Sequence, residues 1–232
     1  MRANLKKFSI LAIELAINLV IIIGLVIVIH TWIIKPFNVS GASMCDTLNK
    51  INDQCVHDEG EKIIINAATY LWNEPKRGDI VVFQVKDNSQ DSIWSKVKDS
   101  IPFQRGNEKK FYIKRIIGEP GDTVELQNGE VFINSRKIEE NYLNSTNKGH
   151  TEIIYKELKE FKVPENQYFV MGDNRNESTD SRSCFGQTVG DENCAKHPEK
   201  AFIKKSQIKG KASLVWWPIK NTRVLKSYDY GI

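Results

Sequence analysis

The apolar run from Leu11 to Ile34, LAIELAINLVIIIGLVIVIHTWII, constrains this chain more than any other feature. As a helix it would measure about 36 Å, long enough to cross a bilayer with some tilt. Glu14 and His30 lie toward its ends, where long or polar side chains can reach the interface. A cleavable leader would have a shorter apolar core ending at small residues. Here Lys35-Pro36-Phe37-Asn38 follows instead, and the stretch reads as a retained anchor. Arg2, Lys6 and Lys7 precede it and outweigh Lys35 after it. Positive residues stay on the cytoplasmic side, so the expected topology is single-pass in the cytoplasmic membrane with the N-terminus inside. Residues 1–10 are then cytosolic, 11–34 transmembrane and 35–232 extracytoplasmic.

Composition limits what the remainder can be. Charged residues make up 27% and hydrophobic ones 41% of the 232 residues, close to globular averages, so a folded domain is expected after the anchor. Most of the formal net charge of +4 sits in the first 35 positions. The body is therefore near neutral and lacks the basic footprint of a nucleic-acid binder. Cys45, Cys55, Cys184 and Cys194 all fall in the part assigned outside, where disulfides persist. Pairing of Cys184 with Cys194 is favoured ahead of Cys45 with Cys55. No C-x-x-C occurs, and His30, His57, His150 and His197 are scattered, so no metal site is expected.

After residue 35 the pattern is of short β-like runs between turn residues: 62–66, 79–85, 111–118, 123–133, 167–172 and 210–218. The fold class expected is mostly β, an extracytoplasmic all-β domain with small insertions. Asn128-Gly129 between VEL and VFI is a type I′ hairpin signal, since both residues accept positive φ at low cost. The polar stretches 86–110 and 134–160 are read as insertions or excursions at a sheet edge. His57 and His150 fall in loops and are read as solvated.

Three segments carry possible chemistry. Ser43 sits among small residues in Ser40-Gly41-Ala42-Ser43, which would let a substrate backbone approach closely, though such a string is also an ordinary turn. Lys114 lies in the apolar strand YIKRIIG. Burial disfavours the ammonium form and would favour a free amine able to take a proton from a serine hydroxyl. A lysine whose stem packs while its head reaches water is the plainer alternative. The run from Gly172 to Arg182, GDNRNESTDSR, alternates Asp173, Arg175, Asp180 and Arg182, and these are expected to build a cross-braced network holding neighbouring groups rigid.

In order, these segments with Gly78-Asp79-Ile80-Val81 between them resemble the bacterial type I signal peptidases, membrane-anchored Ser-Lys endopeptidases that remove signal peptides from exported proteins. The resemblance covers almost the whole chain, including Gly210-Lys211-Ala212 and Trp216-Trp217-Pro218 near its end. It implies Ser43 as nucleophile, Lys114 as general base and Ser178 as the serine orienting that lysine. Asp180 and Arg182 match the family's supporting pair, with Asp173 and Arg175 in the same motif. It further implies secreted preproteins with small residues before the cut as substrates, a lipid bilayer as partner and no cofactor. Val39, Met44, Leu48 and Ile113 are the expected lining of shallow substrate pockets. Two departures stand out. Asp46 replaces a proline usual three residues after the nucleophile, and Gly41 occupies a position that is serine in some relatives. Lys114 separates the chain from the histidine-based ER type, and the anchor separates it from self-cleaving repressors. The remaining rival is a non-catalytic anchored β-domain that binds envelope proteins.

Overall fold

The computed structural model describes residues 2–28, 34–45, 47–85, 111–186 and 194–232. The expectations for stretch 86–110, for Asp46 and for His30 lie outside them. Helix α1 runs Arg2–Val28. It therefore begins well before Leu11, and the chain is already in strand β1 (Ile34–Ser40) where the apolar run ends. Hydropathy marks a bilayer's thickness, whereas backbone hydrogen bonds mark a helix, so the two boundaries need not coincide. Among the described residues no helix is long and apolar enough to cross a membrane.

The rest is mostly β, as the spacing predicts. In chain order come β2 (Lys50–Ile51), β3 (Gln54–Cys55), β4 (Glu59–Asn66), the short α2 (Thr69–Trp72), β5 (Ile80–Gln84) and β6 (Phe111–Gly118). Then follow β7 (Thr123–Gln127), β8 (Glu130–Ile133), β9 (Arg136–Lys137), β10 (Glu160–Lys162), β11 (Gln167–Met171), β12 (Ile203–Lys204), β13 (Ile208–Trp217) and β14 (Arg223–Val224). The main sheet has the order β1-β4-β13-β5-β6-β11-β12, with β14 paired to β13, and a smaller sheet has the order β10-β7-β8-β9. The strands β2 and β3 form a separate hairpin.

The main sheet carries apolar packing on both faces, which explains why Ile80-Val81-Val82-Phe83 reads as a continuous apolar run rather than an alternating one. Ile80 and Val82 join Val39, Met44, Leu48, Ile63, Ile65, Ile113, Ala212 and Val215. Val81 and Phe83 join Ile116, Tyr168, Val170 and Phe185 on the other side. Each such side chain contributes roughly 1.5–3 kcal/mol when fully removed from water, so the two-sided core dominates the fold's stability. The Asn128-Gly129 hairpin forms with Gln127 opposite Glu130 and both loop residues at positive φ (51° and 81°).

Both cysteine pairs are bonded, Cys184 to Cys194 and Cys45 to Cys55. The second pair had the weaker support in sequence, because spacing alone does not show that β2 and β3 fold back beneath the turn carrying Cys45. His57 and His150 are exposed in loops.

Candidate active site

The strand alternation of β6 puts Lys114 on the same face as Tyr112 and Ile116, among aromatic rings. Tyr112 stacks on Phe83 at 5.8 Å, and Phe185 meets both edge-on. Lys114 is only 3% exposed, so the packed-stem alternative with its head in water does not hold. Its Nζ lies 2.6 Å from Ser43 Oγ and donates to the Ile113 carbonyl at 3.0 Å. Seventy-one residues separate serine and lysine in the chain, and the fold brings their reactive atoms into hydrogen-bond contact.

Ser43 sits in the turn after β1. Gly41 opens that turn at φ +82°, a left-handed conformation, with nothing crowding the place a side chain would take. Backbone conformation rather than space therefore requires glycine there. Two asparagines hold the turn. Asn174 donates from its backbone to the Ser43 carbonyl (3.1 Å) and from its side chain to the Ala42 carbonyl (3.2 Å). Asn49, fully buried, donates through Nδ2 to the Val39 and Gly41 carbonyls and accepts at Oδ1 from the Glu61 N–H. Arg223, paired with Glu61, donates to the Thr47 carbonyl. Neither asparagine was singled out in the sequence. Asn174 lies inside the quoted motif, but Asn49 carries no local signal beyond its polarity beside Leu48.

The 172–182 segment forms a buried ionic framework, with partners that differ from those expected. Asp180 and Arg182 pair with each other at 2.9 Å. Asp173 instead pairs bidentately with Arg115 of β6, and Arg175 with Glu140. The reason is geometric, since neighbours in a tight 3₁₀ turn (Arg175–Glu177) point outward in different directions and meet charges on packed elements. Glu140 and Thr151, which receive Arg175, belong to the stretch read as an insertion. Arg182 also donates to the Arg175 and Glu152 carbonyls, so each arginine braces backbone as well as a carboxylate.

Burial alone would raise the Asp180 carboxyl, but the charge and hydrogen bonds of Arg182 and the N–H of Gly172 outweigh it and hold it below the usual range. For Arg115 burial works against the cation, and Asp173 overcomes it and raises the guanidinium further. A carboxyl depressed in the folded state contributes stability above its unfolded value, about 3.9, that is lost as pH falls through the folded one. We expect unfolding to set in below about pH 4, with Asp180→Asn removing part of that acid dependence. Chemical denaturation followed across pH 2–7 checks this, and an unchanged slope in Asp180→Asn would contradict it.

Ser178 lies near Ser43, across Gly172. Its Oγ is buried, and its hydroxyl is among the groups that lower the Asp180 carboxyl. Lys114 Nζ contacts Ser43 Oγ and donates to the Ile113 carbonyl. Gly172 lies between Ser178 and Ser43: a methyl added there would be 2.2 Å from Ser178 Oγ and 2.4 Å from the Ser43 carbonyl oxygen.

The four residues expected to line pockets are placed differently. Val39, Met44 and Leu48 are at most 1% exposed and Ile113 is 5% exposed, all packed in the core beneath the turn. Strand alternation turns Val39 and Ile113 inward, so these side chains form the floor under the site rather than its open walls.

The open edges are those of the backbone. Among the described residues, strand β1 pairs only with β4, and in β6 the β11 partner reaches Arg115, Ile116 and Gly118, while Phe111–Lys114 pair only with β5. Phe37 of β1 and Phe111 of β6 meet edge-on at 6.1 Å.

Residues 12–217 match the family model described as signal peptidase, peptidase S26. Signal peptidase I S of Bacillus subtilis is 33% identical over 222 residues, covering 94% of this chain and 95% of the relative. A signal peptidase I of Bacillus amyloliquefaciens is 32% identical over 224 residues, covering 95% of each. A crystal structure of a signal peptidase I from Enterococcus faecalis superposes with a TM-score of 0.37 at 25% identity, covering 61% of this chain and 98% of that one.

Proposed function

The chain belongs to the signal peptidase family, and we propose that it is a membrane-anchored serine endopeptidase that removes signal peptides from exported preproteins with a Ser43–Lys114 dyad. The observation that carries this reading is the 2.6 Å contact of Ser43 Oγ with a lysine amine that is 3% exposed. In its neutral form that amine accepts the serine proton as Oγ attacks the scissile carbonyl, and it then delivers a proton to the leaving amine. Water attacks the acyl-enzyme in turn, with the same amine taking its proton and Ser43 restored. The Ser43 N–H is the proposed donor to the developing oxyanion. The ionic framework serves to keep the turn and β6 in fixed register, and Ser178 to restrict the lysine tip.

The preprotein would lie extended against the free edges of β1 and of Phe111–Lys114, recognised through backbone hydrogen bonds. Core side chains already fill the floor beneath Ser43, which favours small residues beside the cut. Membrane anchoring is supported by the exposed apolar side chains of α1, Leu15, Val20 and Leu25 among them, since exposed apolar surface of that size is stable when something apolar covers it. The excess of Arg2, Lys6 and Lys7 supports an inside N-terminus and an outside catalytic domain.

The test is incubation of the detergent-solubilised full chain with a preprotein carrying an A-x-A site, reading the new N-terminus by mass spectrometry. Cleavage after that site is expected, and its absence would favour the non-catalytic binding domain. Because the base is the deprotonated amine, the rate should climb as pH rises and reach a plateau. A profile with no ascending limb between acid and mildly alkaline pH would remove Lys114 from that role.

A further inference from the structure

Strand alternation turns Arg115 to the face opposite Lys114, and its guanidinium lies over the Tyr142 ring with Cζ 4.0 Å from the centroid. Tyr142 belongs to the stretch 134–160, read from sequence as an insertion and lying outside the motifs that carry the family resemblance. We infer that Tyr142 is a positioning residue for the dyad, the platform that fixes Arg115 and, through it, the Lys114 strand against the segment that clamps Ser43. The inference rests on the reading of Ser43 and Lys114 as nucleophile and base.

A closed path of contacts joins base to nucleophile behind the site. Lys114 is followed by Arg115, whose Nε and Nη2 donate to the two carboxylate oxygens of Asp173 at 2.9 and 2.7 Å. Asp173 is followed by Asn174, whose backbone and side chain donate to the Ser43 and Ala42 carbonyls. Ser43 Oγ returns to Lys114 Nζ at 2.6 Å. A swing of Arg115 would therefore change the spacing of the two reactive atoms. Bidentate pairing restrains the guanidinium within its own plane, and a ring packed over it opposes motion out of that plane. The ring is itself held from several sides. Its hydroxyl donates to Glu140 at 2.7 Å, accepts from Arg175 at 3.1 Å and meets the Tyr230 hydroxyl at 2.9 Å. Tyr228 packs edge-on against it at 4.8 Å, and the Tyr228 N–H donates to the Gly78 carbonyl that also accepts from Arg115. The same stretch reaches the nucleophile side, where Asn147 Nδ2 donates to Asn174 Oδ1 at 3.3 Å.

Ring and hydroxyl have separable consequences. Tyr142→Phe keeps the platform and loses the hydroxyl's bonds, so the melting temperature should fall while kcat stays within about threefold of the unaltered protein. Tyr142→Leu and Tyr142→Met remove the ring. Each should lose at least about tenfold in kcat with KM within about twofold, since a displacement of about 1 Å at a reacting atom can cost on the order of a hundredfold in rate. All are measured in the full detergent-solubilised chain on a preprotein with an A-x-A site, with kcat normalised to the folded fraction given by circular dichroism and thermal unfolding. A residue needed for stability alone would lower the melting temperature in all three variants and leave their normalised kcat alike. Ring-less variants with normalised kcat within about threefold of Tyr142→Phe, a loss carried by KM, or failure of both ring-less variants to fold while Tyr142→Phe folds would each overturn the inference. Failure of the dyad reading is distinguishable, because the unaltered protein would then not cleave, or Ser43→Ala would cleave as well as it does.

Discussion

Ser43→Ala and Lys114→Ala should each abolish nearly all preprotein cleavage, and the double variant should be no worse than either single. The expectation follows from the 2.6 Å contact: as the proposed nucleophile and base the two share one proton transfer, so removing either would leave the other without a task. Losses on the order of 10⁴-fold or more in kcat are expected, with substrate binding through the strand edges largely kept. Lys114→Ala leaves a cavity in a packed site and is expected to lower stability by about 2 kcal/mol or more. Lys114→Met, which keeps the stem, separates this from chemistry: it should restore stability without restoring activity. Single-turnover rates on a preprotein give the measurement. Losses that multiply in the double variant, or a Lys114→Met protein cleaving at more than a few per cent of the normal rate, would dismantle the dyad.

The strands that build the site were legible because they are strongly patterned. The run FYIKRIIG is β6 residue for residue, and the hairpin at Asn128-Gly129 has the loop its two residues favour. Ser43 and Lys114 were legible for a different reason, a motif order that resembles a known family, and not because periodicity brings residues 71 apart together. What the sequence hid were partners. Nothing local shows that Arg175 reaches Glu140 across 35 positions or that Arg115 rather than Arg175 takes Asp173. Charge alternation within a segment says that charges need partners, but a 3₁₀ turn fans its side chains toward other elements. The pocket residues went the same way. An apolar residue beside a candidate nucleophile reads equally as lining or as floor, and only the alternation of a paired strand decides that Val39 and Ile113 point inward.

Gly172→Ala is the second substitution expected to have a large effect, through the shape of the site rather than its chemistry. Gly172 follows β11 and donates its N–H to Asp180 Oδ2 at 3.0 Å, while its carbonyl accepts from Arg175 Nε at 3.1 Å. It is thus fixed on both sides by the ionic framework and has no freedom to retreat. A methyl there would meet Ser178 Oγ at 2.2 Å, Ser178 Cβ at 2.5 Å and the Ser43 carbonyl oxygen at 2.4 Å, all well inside contact distance. Ser178 can rotate its hydroxyl aside, but its Cβ and the Ser43 backbone cannot yield without moving the chain. The nucleophile turn is the freer partner, since the 172–182 segment is held by three buried arginines. Overpacking of this kind costs typically 1–3 kcal/mol, and the fold should survive it with a lowered melting temperature. Displacing Ser43 from Lys114 should be the larger consequence, roughly a hundredfold or more in kcat. The same methyl at Gly121, where nothing lies within 4 Å, is the control: positive φ there brings strain without a clash, so stability falls while kcat holds. Thermal unfolding and kcat measured on both variants distinguish the two. Gly172→Ala with kcat within threefold of the unaltered protein would show that the Ser43 turn can shift without loss, and would refute close packing as what sets the geometry of the site.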